Sequence, residues 1–348
     1  MRVLQVGPYP PPHGGVQTHL VAIRDYLRQR QIPCAVVNIT RHRQADADEV
    51  YYPKSAVQLI ARLMRLRYDV LHLHIGGDLP PRLLGLMLAC TLLPRRKTVL
   101  TFHSGGYPSS PAGQRARPGT LRGLVFRRLD GAIAVNDALA DLYRRFGIPE
   151  SRIRLIPPHA VRIPAGSLPP AVAQFFETHT PRLLTVGLLE PEYDLLLQIE
   201  MLGEVRKLLP GAGLAIIGAG TMEAELKGRI AAHPQRDHIL LCGDVPHSLT
   251  LGAIAACDVF LRTTRYDGDS ISVREALHLG TPVVATDNRM RPEGVRLIPI
   301  GDLQALCRTV IETAAQPREH SEEPGEAEDN VAAVVAFYRD LLNEGAGR

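Results

Sequence analysis

The chain has 348 residues, 45% of them apolar and 22% charged, with a formal net charge of +4. That length suits two domains of about 150–180 residues with sizeable cores, and the lack of a long apolar run excludes a membrane-spanning helix. Cysteines at 34, 90, 242, 257 and 307 show no CxxC spacing, so neither a disulfide framework nor a zinc site is indicated, and a reducing cytoplasm is the expected compartment.

Taken in chain order, strand-like apolar runs alternate with helix-like segments. Residues 3–6 read as a first strand and not as part of a signal peptide. A Pro/Gly loop follows, then a helix over 16–29, a strand over 34–39 and a helix around 56–67. Short strands are predicted at 70–74, 98–102, 131–135 and 153–156. The apolar stretch 83–93 contains Gly85 and Thr91 and reads as a buried helix. A second series of strands covers 182–186, 213–217, 238–242, 259–261, 283–286 and 295–298, with a helix over 223–230. Alternation of this kind predicts parallel sheets with helices on both faces. Prolines at 157, 158, 164, 169 and 170 mark an interdomain linker. The expected domains are therefore 1–164 and 165–330. Residues 316–330 are polar and predict a mobile loop, after which Asn330 caps a final helix over 331–343.

Charge is unevenly divided. Residues 1–164 carry 24 Lys+Arg against 10 Asp+Glu, a balance of +14, and residues 165–348 carry 16 against 26, a balance of −10. The excess gathers at Arg62, Arg65 and Arg67, at Arg95, Arg96 and Lys97, and from Arg115 to Arg128. Solvated helix faces account for part of it, and an anionic partner such as a phospholipid surface accounts for the rest. Nucleic acid is not expected, because no aromatic interleaving or nucleic-acid motif accompanies the charge.

Several loops carry residues suited to chemistry. Gly14 and Gly15, within the string Gly-Gly-Val-Gln17-Thr-His19, follow the first strand and open a helix, where backbone N–H groups can hold a phosphate. His103 ends a strand. His72 and His74 alternate with apolar residues and so share one face; a third metal ligand of suitable spacing is not evident, and both are expected in the core or at a cleft rim. The turn Gly218-Ala-Gly220 lacks the third glycine of a dinucleotide fingerprint. Asp267 and Glu275 stand eight residues apart, the first in a Gly/Ser loop and the second on a predicted helix, before the strand at 283–286. The N-terminus of that helix is suited to anions.

The stretch from Asp267 to Thr286, together with the GGVQTHL string, resembles the signature of the GT4 family of retaining glycosyltransferases. The resemblance implies a GT-B fold: two Rossmann-like α/β domains facing a central cleft, with the last helix (331–348) crossing back to the N-terminal, acceptor-binding domain. It implies a nucleoside-diphosphate sugar as donor, UDP- or GDP-linked, no metal and no further cofactor. By the same resemblance Asp267 and His103 act at the reacting centre. Gly14, Gly15, Glu190, Tyr193, Gly243, Val245, Arg265, Ser270, Ile271, Ser272 and Glu275 contact the donor, and Gln17 and His19 face the acceptor. Transfer would proceed by front-face attack, with a donor phosphate oxygen taking the acceptor's proton. The chain departs from the family where a turn usually carries an Arg and a Lys to neutralise the diphosphate: here Leu188 and Tyr193 occupy those places. Arg262, Arg265, the Tyr193 hydroxyl and the helix start at Ser270 are the expected substitutes. The basic half makes a lipid-linked or otherwise anionic saccharide the expected acceptor, in polysaccharide assembly at the inner face of the membrane. A catalytically silent scaffold subunit and a nucleotide-sugar epimerase are the alternatives.

Overall fold

The structure is a computed structural model that describes residues 1–11, 13–40, 44–94, 96–158, 168–266, 270–316 and 330–346. The chain divides into two compact units, one comprising Met1–Pro10, Val16–Ala160 and Glu328–Arg348, the other Pro11–Gly15 and Val161–Ala327.

The first unit holds seven strands: β1 (Val3–Gly7), β2 (Cys34–Asn38), β3 (Val50–Tyr51), β4 (Val70–Ile75), β5 (Lys97–Phe102), β6 (Gly131–Ala134) and β7 (Ile153–Leu155). They form one parallel sheet in the order β3-β2-β1-β4-β5-β6-β7. Its helices are α1 (Gly15–Gln29), α2 (Ala56–Arg65), α3 (Pro81–Thr91), α4 (Pro111–Gln114), α5 (Leu121–Phe126) and α6 (Asp137–Phe146). β1 and β4 are buried along their whole length, because both faces of the sheet are covered. The polar members of these strands, Gln5 on β1 and His72 and His74 on β4, are buried with the rest. The expected buried helix at 83–93 is α3, which sinks Leu84, Leu86, Met87 and Cys90. β3 escapes the sequence reading because two residues carry no periodicity.

The second unit contains α7 (Pro170–Thr178), β8 (Arg182–Val186), α8 (Leu195–Val205), β9 (Gly213–Ile217), α9 (Glu223–Ala232), β10 (Ile239–Gly243), α10 (His247–Ala256), β11 (Val259–Arg262), α11 (Ile271–His278), β12 (Val283–Thr286), β13 (Val295–Ile298) and α12 (Leu303–Ala314). The sheet order is β10-β9-β8-β11-β12-β13, parallel throughout. In both sheets the strand order reverses beside the first strand, between β1 and β4 and between β8 and β11. Ligands of open parallel sheets bind beyond the carboxyl ends of the strands at such reversals.

The last helix, α13 (Asn330–Ala346), belongs to the first unit. Val331, Val334, Val335, Tyr338 and Leu341 recur at helical spacing and pack with Val3, Ile23, Leu27, Val99 and Ile133. The expected return of the chain to the N-terminal domain is thus built as an apolar stripe. The expected mobile loop at 316–330 lies almost wholly outside the described residues, as does Pro164 of the expected linker.

Gly218, past the end of β9, shows how tightly the second sheet is closed. Its φ is +147°, and a Cβ there would fall 1.7 Å from the Gly187 carbonyl oxygen, while its N–H donates to Gly243 O at 2.8 Å. Neither backbone can give way without unpicking the ends of three strands. Gly218→Ala is expected to destabilise the protein by about 2–5 kcal/mol, read as a lowered denaturant midpoint at unchanged slope; an unchanged midpoint would contradict the geometry.

Candidate functional site

In the first unit the carboxyl ends of β4 and β5 meet the first turns of α1. His19 comes from α1, His72 and His74 from β4, and His103 follows β5. Hydrogen bonding of the His103 N–H to Ile75 O at 2.7 Å anchors that backbone. The His19 ring stands edge-on to His74 and His103, with centroids 5.7 and 5.2 Å away. His72 and His74 lie 4.0 Å apart, on one face as their alternation requires. His72 is hydrogen-bonded through both ring nitrogens, to the Tyr338 hydroxyl and to Thr101 Oγ1 at 2.7 Å. Burial holds His72, His74 and His103 well below the usual imidazole range, reinforced by neighbouring imidazoles, so these rings are neutral near pH 7. His74, which the sequence reading left without further ligands, stands with His19 and His103: each offers a ring nitrogen, all within 4.8 Å of one another. That corrects the expectation that no third ligand was at hand. The three residues come from separate elements, and chain spacing does not reveal their convergence. Gln17 lies one turn before Leu20 on α1, partly buried.

The second unit carries the acid, the cations and the helix start. Glu275, on α11, is 2% exposed, and its Oε1 lies 2.7 Å from His247 Nε2, on α10. Burial opposes charge on His247, yet the hydrogen bond and the attraction of Glu275 exceed that penalty and raise its pKa. His247 is the site residue that sequence reasoning missed, since nothing in its own surroundings marks it. Ser270 stands at the N-cap position of α11 with its hydroxyl 3.3 Å from that of Ser272, and Ile271 packs inward. The N–H groups of this first turn have no intrahelical acceptor.

Arg262 closes β11. It is 6% exposed, donates to Val186 O at 2.9 Å and to Ser272 Oγ at 3.5 Å, and lies 4.5 Å over the Tyr193 ring. It therefore bridges β8, the Tyr193 turn and α11 at the sheet reversal. Arg265 is 62% exposed and is paired with Asp194 through Nε at 3.2 Å. The Glu190 carboxylate accepts from Thr221 N at 3.0 Å and from its hydroxyl, which ties it into the β8–β9 loops. Gly243 sits at φ +74° at the end of β10, and Val245 is buried just beyond. Gly14 and Gly15 belong with this unit; their neighbour His13 bonds Asp244 through N at 3.1 Å and Nδ1 at 2.9 Å. Asp267 lies outside the described residues. Gly218 and Gly220 face the backbone of Gly187 and Leu189, so close packing accounts for that turn.

Two open parallel sheets of this topology, with the final helix returned to the first, define the GT-B class of α/β proteins. The structure of HepE from Anabaena in complex with UDP-glucose is similar over all of both chains, with a TM-score of 0.69 at 16% identity. Sucrose-phosphate synthase from Thermosynechococcus elongatus is similar over 99% of this chain and 98% of its own, with a TM-score of 0.65 and 16% identity. The model of Glycosyltransferase Family 4 matches residues 13–159, and that of Glycosyl transferases group 1 matches residues 172–297. The chain belongs to this family of glycosyltransferases. The amylovoran biosynthesis glycosyltransferase AmsK of Erwinia amylovora is 31% identical over 146 residues, 38% of this chain. That match spans about 36% of the length of the relative.

Proposed function

We propose that the chain moves a sugar, with retention and without a metal, from a UDP- or GDP-sugar to a lipid-linked or otherwise anionic saccharide in polysaccharide assembly. The observation that carries this reading is the juxtaposition, at one sheet reversal, of buried Glu275, the start of α11 and Arg262. Glu275 would accept hydrogen bonds from the ribose hydroxyls, held in place by His247. The N–H groups at Ser270–Ser272 and the Arg262 guanidinium would take the diphosphate, where charge builds as the sugar departs. His103, neutral and fixed by its backbone, would face the sugar. Asp267 is the first acid of the family pattern and would contact the sugar hydroxyls. Front-face attack needs no enzyme nucleophile: the acceptor oxygen bonds to the anomeric carbon as the bond to the diphosphate breaks, and a phosphate oxygen takes the proton.

The test is nucleoside diphosphate release from UDP-, GDP- and ADP-sugars with EDTA present and a membrane lipid extract as acceptor. Release is expected with one donor. A second reading, a silent scaffold subunit, draws on Leu188 and Tyr193 in place of the usual cations. Absence of release together with no binding of UDP, GDP or ADP would select it.

The acceptor side of the proposal rests on the surface of the first unit. No described helix is long and apolar enough to cross a membrane. Val57 and Met64 on α2 are 79% and 64% exposed, and Leu121 and Leu124 on α5 are also exposed, each set amid arginines. Not all of that charge is free to meet a partner. Arg62 pairs with Asp46 at 2.7 Å, and Arg96 donates to Leu63 O, Leu66 O and the Tyr68 hydroxyl. Apolar tips among cations suit an anionic lipid surface. Sedimentation with phosphatidylglycerol vesicles is expected, weakening with salt and falling at least several-fold in Val57→Glu/Met64→Glu. Failure to sediment at low salt would remove the lipid surface from the proposal.

A further inference from the structure

We propose that His19, His74 and His103 form a binding site for a borderline divalent transition ion, Zn²⁺ above all, within the first unit. The inference does not depend on the transferase reading.

The hydrogen bonds settle which nitrogen His74 offers. Gln5 Nε2 donates to Leu20 O at 3.1 Å, so Gln5 Oε1 is left as an acceptor, and His74 Nε2 lies 3.0 Å from it. His74 therefore carries its proton on Nε2. Its Nδ1 lone pair is buried without a hydrogen-bond partner, and so is Nε2 of His103. A buried polar nitrogen without a partner costs about 1–3 kcal/mol, and two of them beside a third imidazole need a reason. His72 is excluded from the set, because both its nitrogens are bonded. An imidazole whose other N–H is held by an amide oxygen is the usual arrangement around a metal-bound histidine.

The chemistry selects the ion. Three imidazoles with no carboxylate suit Zn²⁺ and its neighbours and disfavour Mg²⁺ or Ca²⁺, which take oxygen ligands. Zinc–nitrogen bonds of about 2.0–2.1 Å in a tetrahedron place nitrogens about 3.4 Å apart. The three ring nitrogens lie within 4.8 Å of one another, and small side-chain rotations close the difference. A water would be the fourth ligand needed to complete a tetrahedron. An ion here would immobilise the His103 ring; under the transferase reading, Zn²⁺ would inhibit an enzyme that needs no metal.

The experiment titrates the full, tag-free, EDTA-treated chain with Co²⁺. One equivalent is expected to bind with the intense visible absorption of four-coordinate cobalt, without a thiolate charge-transfer band, and Zn²⁺ should displace it. Gln5→Leu should weaken binding by roughly 10–100-fold, and His103→Gln, at a partly exposed position, should abolish the four-coordinate spectrum. A weak octahedral spectrum in the unaltered chain would overturn the proposal without recourse to any variant. So would an unchanged spectrum and affinity in a folded His103→Gln protein. Inhibition of sugar transfer by Zn²⁺ is a separate readout, so loss of the transferase reading would leave the cobalt result standing.

Discussion

Glu275→Ala is expected to weaken nucleoside diphosphate binding by about 100-fold or more and to abolish measurable release from the donor sugar. A carboxylate that accepts two hydroxyl hydrogen bonds contributes about 1.5–3 kcal/mol through each, and Glu275 is held by His247 before any ligand arrives. The preorganisation matters because a free carboxylate would lose rotamer freedom on binding. Glu275→Gln should keep part of the affinity, and calorimetric titration with UDP and GDP separates the three proteins. His247 adds a pH dependence of defined sign. Its pKa is raised in the folded chain, so the ion pair is complete below the ordinary imidazole value near 6.5 and is lost as pH rises through the raised value. Donor affinity should fall over that interval and stay flat in His247→Gln. A purely structural Glu275 would instead give an alanine variant of lowered Tm with unchanged nucleotide affinity, which would sink the assignment.

The architecture was legible because strands buried on both faces stand out as apolar runs, and twelve of the runs so read are strands in the folded chain. What the sequence withheld depends on tertiary convergence. His19, His74 and His103 lie on α1, β4 and the end of β5, and only the parallel β1–β4–β5 arrangement brings their rings together. His247 and Glu275 meet because α10 and α11 pack side by side. Arg262 was legible only as one of four groups that could replace the family's usual cations. What separates it from Arg265 is its burial at the β8–β11 reversal, which depends on tertiary packing and leaves no mark in the local sequence.

Arg262→Leu is expected to lower kcat for sugar transfer by about 10²–10³-fold, the range found when one preorganised donor to developing negative charge is removed. By the family resemblance Leu188 and Tyr193 stand where an Arg and a Lys are usual, so under the proposed function a diphosphate would need another source of positive charge. Two arginines are near, and their surroundings differ. Arg265 is largely exposed and paired with Asp194, so its charge is both screened and partly neutralised. Arg262 is buried, donates to a carbonyl and a hydroxyl, and is braced by the Tyr193 ring. In a site of low dielectric such a charge acts strongly and needs little reorganisation. On the proposed function the Tyr193 ring, 4.5 Å from the Arg262 guanidinium, would serve to fix that cation. Arg265→Leu should cost no more than a few-fold, Tyr193→Ala should fall between the two, and Arg262→Lys should recover part of the rate, with folding verified by Tm in each case. Equal, small effects of the two leucine variants in folded protein would mean that neither arginine holds the diphosphate. Leu188 and Tyr193 would then mark a site that no longer stabilises a leaving group.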